Sequence, residues 1–404
     1  MKIQSLTILR IKRVIEYLFQ SHLYLRRWVE LRDEEKNLTS NSSSLKQKSI
    51  PKLFNLDLHI GVIADLETGL QKLPVSLTRW SISLHNHLIP DRIPISDPVR
   101  FVNARKWHLL DDSIIDKFQK RYGNFLNSFD GFICTYSPTF AELFRGLNKP
   151  ILVIAATRYE APYTDRPSEL LRFNNYLLSG VKKDEILLYA NNHGDADYIK
   201  FYTNLNTPVV PSLCEKIGNI EKKNQFYVIL SKDSSLVNYI EKTTKNIFQS
   251  ATILGSPYQW IDLIKCSEVL VFPQNISTMT LFELATAGIP VAIPSRIWIK
   301  ELISMGYQVL NQLTFHQILN VNTASMSEHD PANFNSKFYL DWWLDRADFY
   351  NKELMPNVRI VNSIDELISY RPNIQFYNDF NIKERNFQIA KQRKNMILKL
   401  LEKI

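Results

Sequence analysis

Residues 266–295 read Cys266-Ser-Glu-Val-Leu-Val-Phe-Pro-Gln-Asn-Ile-Ser-Thr-Met-Thr-Leu-Phe-Glu-Leu-Ala-Thr-Ala-Gly-Ile-Pro-Val-Ala-Ile-Pro-Ser295. The apolar, branched run Val269-Leu-Val-Phe272 has the length and composition of a buried strand. Pro273-Gln274-Asn275 ends it. Ser277 and Thr280 supply hydroxyls suited to opening a helix. Leu281, Leu284 and Ala285 carry that helix to Gly288, with Pro290 just beyond the stop. Val291-Ala-Ile293 is then a second buried strand. The unit is strand, polar loop, helix, strand. It puts helix N-terminal amides beside the carboxyl end of a strand, the place where parallel sheets bind ligands.

The same alternation extends on both sides. Upstream, Phe226–Leu230 reads as a strand ending in Ser231-Lys232-Asp233, a helix is expected from about Leu236 to Ile247, and Thr252–Leu254 reads as a further strand. Trp260–Ile264 is a short helix. Further back, Leu56–Ala64 reads as a strand running into Asp65-Leu-Glu67. Strands are also expected at Asp130–Thr135, Pro150–Ala156 and Ile186–Ala190, with helices over Phe118–Phe129, Pro138–Leu147, Pro167–Leu178 and Ala196–Tyr202, the last capped by Asp195. Downstream, Val358–Val361 is a last strand, and Ser363-Ile-Asp-Glu366 has the form of a capping box opening a helix. Strands alternating with helices predict parallel sheets wrapped by helices. The chain turns polar and charged around 212–223, which marks a boundary. The expected organisation is an amphipathic helix and Ser-rich linker over 1–52, a Rossmann-like domain over 53–215, a second over 216–380 and a basic helix over 381–404.

Composition narrows the function. The 404 residues are 45% hydrophobic and 22% charged, ordinary for a globular protein with a sizeable core. Cys134, Cys214 and Cys266 lie far apart, without metal-ligand spacing, and fit a reducing, cytoplasmic compartment. The net charge of +8 sits at the ends: residues 1–36 carry a net +3 and residues 383–404 a net +5. A balanced middle argues against a nucleic-acid-binding core. Both terminal segments carry apolar stripes, Ile11, Val14, Ile15, Leu18, Leu25 and Val29 at one end, and Ile382, Ile389, Met396, Ile397 and Leu400 at the other. Such helices pack on a protein body or lie on an anionic membrane surface. His85 and His87 lack a third ligand at diagnostic spacing, so no metal site is expected. The stretch from Ser325 to Tyr350, with Tyr339, Trp342, Trp343, Phe349 and Tyr350 among Asp341, Asp345 and Asp348, reads either as an inward-packed helix or as a wall of an acceptor cleft.

The stretch at 266–295 resembles the nucleotide-sugar half of GT-B glycosyltransferases, which have two Rossmann-like domains facing a cleft. The matching features are Pro273 at the strand end, the hydroxyl-rich turn Ser277–Thr280, Glu283 on the helix, and Ala287-Gly288-Ile289-Pro290-Val291. The resemblance spans about 225–295. It implies that the turn, with Asn275, Ser277, Thr278 and Thr280, receives a diphosphate, and that Glu283 receives ribose hydroxyls. Glu283 also completes the capping-box form Thr280-Leu-Phe-Glu283, in which it would satisfy only a backbone amide. Many retaining members carry a second Glu eight residues before the first. Here that position is Asn275, so the resemblance does not carry that mechanism.

The same resemblance implies that Lys232, after the first strand of its domain, meets the diphosphate, and that loops after Leu254 hold the base, with Tyr258 available for stacking. A departing sugar diphosphate carries charge that a cation must neutralise. An inverting transfer also needs a general base near the acceptor hydroxyl. Asp65, Glu160 and His193 all read as lying at strand ends of the first domain and are the candidates, with Arg158 and Trp107 on the acceptor side. The expected activity is transfer of a sugar from a nucleotide-sugar co-substrate to a glycan or lipid-linked acceptor, with no other cofactor and no metal. The alternatives are a sugar-nucleotide epimerase of the same fold and a non-catalytic protein peripheral at a membrane.

Overall fold

The computed structural model describes residues 50–58, 60–70, 73–81, 101–102, 106–214, 226–255, 260–263, 265–369 and 379–404. The expected N-terminal helix, most of its linker, the histidine pair at 85 and 87, and Tyr258 lie outside them.

The first half runs β1 (Lys52–Asp57), α1 (Ile60–Leu70), β2 (Ser76–Ser81), α2 (Asp112–Leu126), β3 (Gly131–Cys134), β4 (Ile151–Ala155), α3 (Pro167–Lys182), β5 (Ile186–Ala190) and α4 (His193–Thr203). The second runs β6 (Tyr227–Leu230), α5 (Ser234–Thr243), β7 (Phe248–Ser250), α6 (Trp260–Leu263), β8 (Glu268–Val271), α7 (Met279–Ala287), β9 (Val291–Pro294), α8 (Arg296–Ser304), α9 (Phe315–Ile318), α10 (Tyr339–Asp345), β10 (Val358–Val361), α11 (Ile364–Ser369) and α12 (Asp379–Leu401). The strands form two sheets, ordered β2-β1-β3-β4-β5 and β7-β6-β8-β9-β10. Every pairing is parallel. The two orders are the same. In each, the second strand lies outside the first and the rest continue on the other side, so each sheet has a switch point at its first strand.

The short apolar runs became strands because both of their faces are covered. Phe132, Val153, Val269 and Ile293 are all fully buried. Behind the first sheet, the rings of Phe132 and Phe144 stack at 4.2 Å, and those of Trp80 and Phe125 at 5.2 Å. Each such pair contributes about 0.5–1.5 kcal/mol beyond its buried area. Gly288 ends α7 in the left-handed region (φ +66°), and Ile382 would lie 2.8 Å from any Cβ there. The expected glycine stop is therefore required twice, by backbone conformation and by packing. Ser363 caps α11 as expected, accepting from the Glu366 amide at 3.4 Å, but Glu366 reaches back one residue further than the box requires and accepts from the Asn362 amide at 2.7 Å.

Several local expectations are corrected. The strand expected over 56–64 is β1 followed by α1. Val62, Ile63, Leu66 and Leu70 are buried at helical steps, and the strand's own buried set starts earlier, at Leu53 and Phe54. The strand expected at 252–254 is a 3-10 turn. The strand is β7, anchored by buried Phe248, whereas Ile253 is exposed. Residues 138–144 are also 3-10 rather than α-helical. Helix α4 is capped by Asn192, not Asp195: the Asn192 side chain accepts from the Asp195 amide at 2.8 Å.

Helix α12 packs on α1 of the first half and α7 of the second. Its apolar stripe, Ile382, Ile389, Met396, Ile397 and Leu400, is buried on the body. That stripe is therefore closed to a membrane. No helix among the described residues is long and apolar enough to cross one. The aromatic stretch also packs inward, with Tyr339, Trp343 and Phe349 buried.

Candidate functional site

The carboxyl ends of the two sheets meet. Beyond β4 the chain runs through Ala156–Glu160, beyond β5 through Asn191–Asp195, and beyond β8 through Pro273–Thr278. Ser277 Oγ donates to the Ala156 carbonyl at 2.9 Å. Arg158 donates through Nε to Asp195 at 2.6 Å, and through Nη1 to the Leu313 carbonyl at 2.5 Å and to Asn275 Oδ1 at 3.3 Å. Its guanidinium lies 4.5 Å from the centre of the Trp343 ring. Gly194 lets the start of α4 approach Ile276, whose Cδ1 lies 2.0 Å from where a Cβ would stand. Arg158 is thus a buried connector of the two halves rather than a surface cation, and its expected contact with an acceptor has no exposed surface in this arrangement. Breaking such a buried pair typically costs about 3–5 kcal/mol.

At the edge of this junction stands His193, the first residue of α4. Its Nδ1 lies 2.6 Å from Asp348 Oδ1, and its amide donates to Asp348 Oδ2 at 3.2 Å. Asp348 is only 4% exposed, whereas the His193 side chain is 53% exposed. A carboxylate facing Nδ1 fixes the proton there and leaves the Nε2 lone pair directed elsewhere. The amide contact also places the carboxylate at the positive end of α4. The hydrogen bond to Asp348 raises the His193 pKa above its ordinary value, opposed by partial burial.

The other candidates for the base are placed differently. Asp65 does not follow the first strand. It lies inside α1, buried, with Arg393 at 2.9 Å and the Leu213 amide donating at 2.7 Å. Burial raises its pKa even so. Glu160 is sealed at 2% exposure, with the Tyr198 hydroxyl donating to it at 2.9 Å. Burial pushes its pKa to about 7, against the pull of its own backbone amide, Tyr198 and Arg158. His316 Nδ1 lies 3.9 Å away, and burial lowers the pKa of that histidine.

On the donor side, Asn275, Ser277, Thr278 and Thr280 are half-exposed at the mouth of α7. Thr278 is the N-cap, yet its side chain makes no capping bond. Its hydroxyl donates instead to the Asn275 carbonyl at 3.0 Å. The Thr280–Glu283 capping box is therefore not formed. Glu283 is half-buried, and burial, with Asp65 as a nearby like charge, raises its pKa to about 7. Asp65, Cys214, Glu283, Arg385 and Arg393 lie within one electrostatic neighbourhood under α12. The fold thus joins an expected base and an expected ribose ligand in one partly buried electrostatic cluster. Lys232 is exposed after β6, the strand paired with β8. Trp107 is half-buried, its ring 6.0 Å from that of Phe315 in the other half. Among the described residues, no group of three or more His, Cys, Asp or Glu side chains is placed to hold a metal ion.

Asp348, Asp195 and Trp343 carry much of this site. The only sequence signal for Asp348 is its place among the aspartates of the aromatic stretch, and nothing there couples it to His193.

Two parallel sheets of identical strand order, joined at their carboxyl ends, make a two-domain Rossmann-like architecture. The fold is of the GT-B type. No protein-family model matches the chain, and no curated protein matches it. Among solved structures, it is similar to spinosyn forosaminyltransferase SpnP, with TM-score 0.43 and 9% identity over 88% of this chain and 99% of that one. It is also similar to the glycosyltransferase SnogD from Streptomyces nogalater, with TM-score 0.36 and 11% identity over 86% and 96%. A third is spinosyn rhamnosyltransferase SpnG complexed with thymidine diphosphate, with TM-score 0.35 and 10% identity over 86% and 96%.

Proposed function

We propose that this protein transfers a sugar from a nucleotide-sugar donor to a hydroxyl acceptor, with His193 as general base. The observation that carries the reading is the His193–Asp348 pair: a half-exposed imidazole, oriented by a buried carboxylate, beside the junction of the two sheets. Such a pair holds the imidazole in the tautomer that accepts a proton at Nε2. As the acceptor hydroxyl attacks the sugar carbon, Nε2 takes its proton, and Asp348 stabilises the imidazolium that forms. The bond to the diphosphate breaks on the opposite side, so the transfer inverts configuration. The diphosphate is received by the loop before α7, where the first-turn amides carry no side-chain cap and Thr280 adds a hydroxyl, while those of Ser277 and Thr278 hold the loop by donating to the Ala156 and Asn275 carbonyls. Lys232 neutralises charge on the leaving group. In this reading the acceptor side is built mainly on residues 53–215 and the donor side on residues 216–380, and no metal or other cofactor takes part.

The first test is thermal unfolding of the full chain with uridine, guanosine and thymidine diphosphates. The matching nucleotide at about 100 times its dissociation constant stabilises by about 2.7 kcal/mol. Turnover with the matching nucleotide sugar, measured for His193→Gln, should fall about 10²–10⁴-fold with donor affinity kept. Activity should rise with pH through a midpoint above 6.5, because the base works only when deprotonated and its pKa is raised. Full turnover in His193→Gln would falsify the assignment of the base. Interconversion of sugar nucleotides without transfer would favour an epimerase.

A further inference from the structure

His193 is the first rung of a ladder between two elements. On α4, residues 193, 197, 200 and 201 share one face, at steps of four, seven and eight. Opposite them stand Trp342, in the middle of α10, Arg346, just past its end, and then Asp348. His193 pairs with Asp348, and one helical turn on, Asp197 pairs with Arg346 at 2.8 Å. Beyond that rung lies a pocket of about 290 Å³, lined by Asp197, Lys200, Phe201, Trp342 and Arg346.

The lining defines what fits. Arg346 is held from three sides before anything binds: Nε on Asp197, Nη1 on the Trp342 carbonyl at 3.0 Å, and its plane 4.1 Å from the Trp342 ring centre. A guanidinium fixed in this way loses little freedom on meeting an anion. Because it covers one face of the Trp342 ring, that face is closed to the sugar stacking that a neutral ligand would use. The open aromatic surface is Phe201, 49% exposed. Lys200 is exposed beside it. The two cations against Asp197 leave the lining with one net positive charge.

We infer that this pocket holds the acceptor, and that the acceptor is a sugar ring bearing an anionic group, a carboxylate or a phosphate. Lys200 and Arg346 take the anion and Phe201 takes the apolar face of the ring. His193 is not in the lining and stands roughly 10 Å along α4 from Lys200, so the anionic sugar is one unit of a longer acceptor whose next unit carries the reacting hydroxyl to His193. The acceptor role rests on His193 being the base. The anion site itself stands on the pocket alone.

The test is saturation-transfer NMR on the full chain without any donor, titrating glucuronate, glucose 6-phosphate and glucose. Both anions should bind at least about tenfold more tightly than glucose, with affinity falling as salt rises. Whichever anion binds more tightly identifies the acid as carboxylate or phosphate. Lys200→Glu, at an exposed position, should lose about tenfold for the anions with unfolding temperature unchanged, and Phe201→Ala should weaken all three sugars. His193→Gln should leave binding intact, so loss of transfer and loss of binding are read separately. Equal binding of glucose and the two anions overturns the inference, as does unchanged anion affinity in Lys200→Glu.

Discussion

Replacing Glu160 by Gln should stabilise the protein above neutral pH and leave it nearly unchanged in acid. Glu160 is 2% exposed, one carboxyl oxygen accepts from Tyr198, and the other has no hydrogen-bond partner among the described residues. Burial raises its pKa from 4.5 to about 7. A group whose folded-state pKa is raised stabilises the fold most below its unfolded pKa. It loses that contribution as pH climbs through the folded value. For Glu160 the window is therefore pH 4.5 to about 7. At 1.36 kcal/mol per unit, the loss across it is about 3 kcal/mol, an upper bound because burial relaxes on ionisation. Gln has the same shape, keeps an oxygen for Tyr198 and cannot ionise. Urea unfolding of both proteins at pH 5 and pH 8 isolates the effect, since every other titrating group, His193 and Glu283 included, is shared. The stability gap should widen in favour of the Gln variant by up to about 3 kcal/mol between the two pH values. A gap that stays constant refutes the argument. Turnover also decides between bases: a sealed carboxyl that serves only the fold leaves Glu160→Gln active, whereas its inactivation with the fold intact would move the base from His193 to Glu160.

Two further substitutions probe the connections that hold the halves together. Gly194→Ala drives a Cβ to within 2.0 Å of Ile276 Cδ1 and should cost about 1–3 kcal/mol. Combining it with Ile276→Ala should recover part of that cost, as a double-mutant cycle in urea would measure. Arg393→Met leaves Asp65 buried and unpaired, which should cost about 3–5 kcal/mol in thermal unfolding, and Asp65→Leu in the same chain should restore most of it.

The alternation of strands and helices was legible from residue to residue. Runs such as Val269–Phe272 and Ile186–Ala190 are apolar on both faces, and in a chain of this length that pattern has few outcomes other than a parallel sheet. Gly288, Pro290 and Ser363 marked helix ends because caps and stops are local chemistry. Boundaries failed where one apolar run fits two periods. Leu56–Ala64 is such a run, and the helical spacing of Ile63, Leu66 and Leu70 prevailed once α12 covered that face.

The candidate site was legible only as a set of residue types at strand ends. His193, Glu160 and Asp65 look equivalent in the sequence: each is titratable, in the first half, near an expected strand end. Their surroundings separate them. His193 and Asp348 are 155 residues apart, and Arg158 and Asn275 are 117 apart. No local spacing encodes such pairs, because each partner is supplied by a different sheet. Propensity and capping act over a few residues and set the elements. Burial, ion pairing and pKa depend on what the docked sheets bring within a few ångströms, so Glu160 is sealed under Tyr198, Asp65 is bound to Arg393, and His193 keeps one nitrogen on a buried carboxylate with its ring half open.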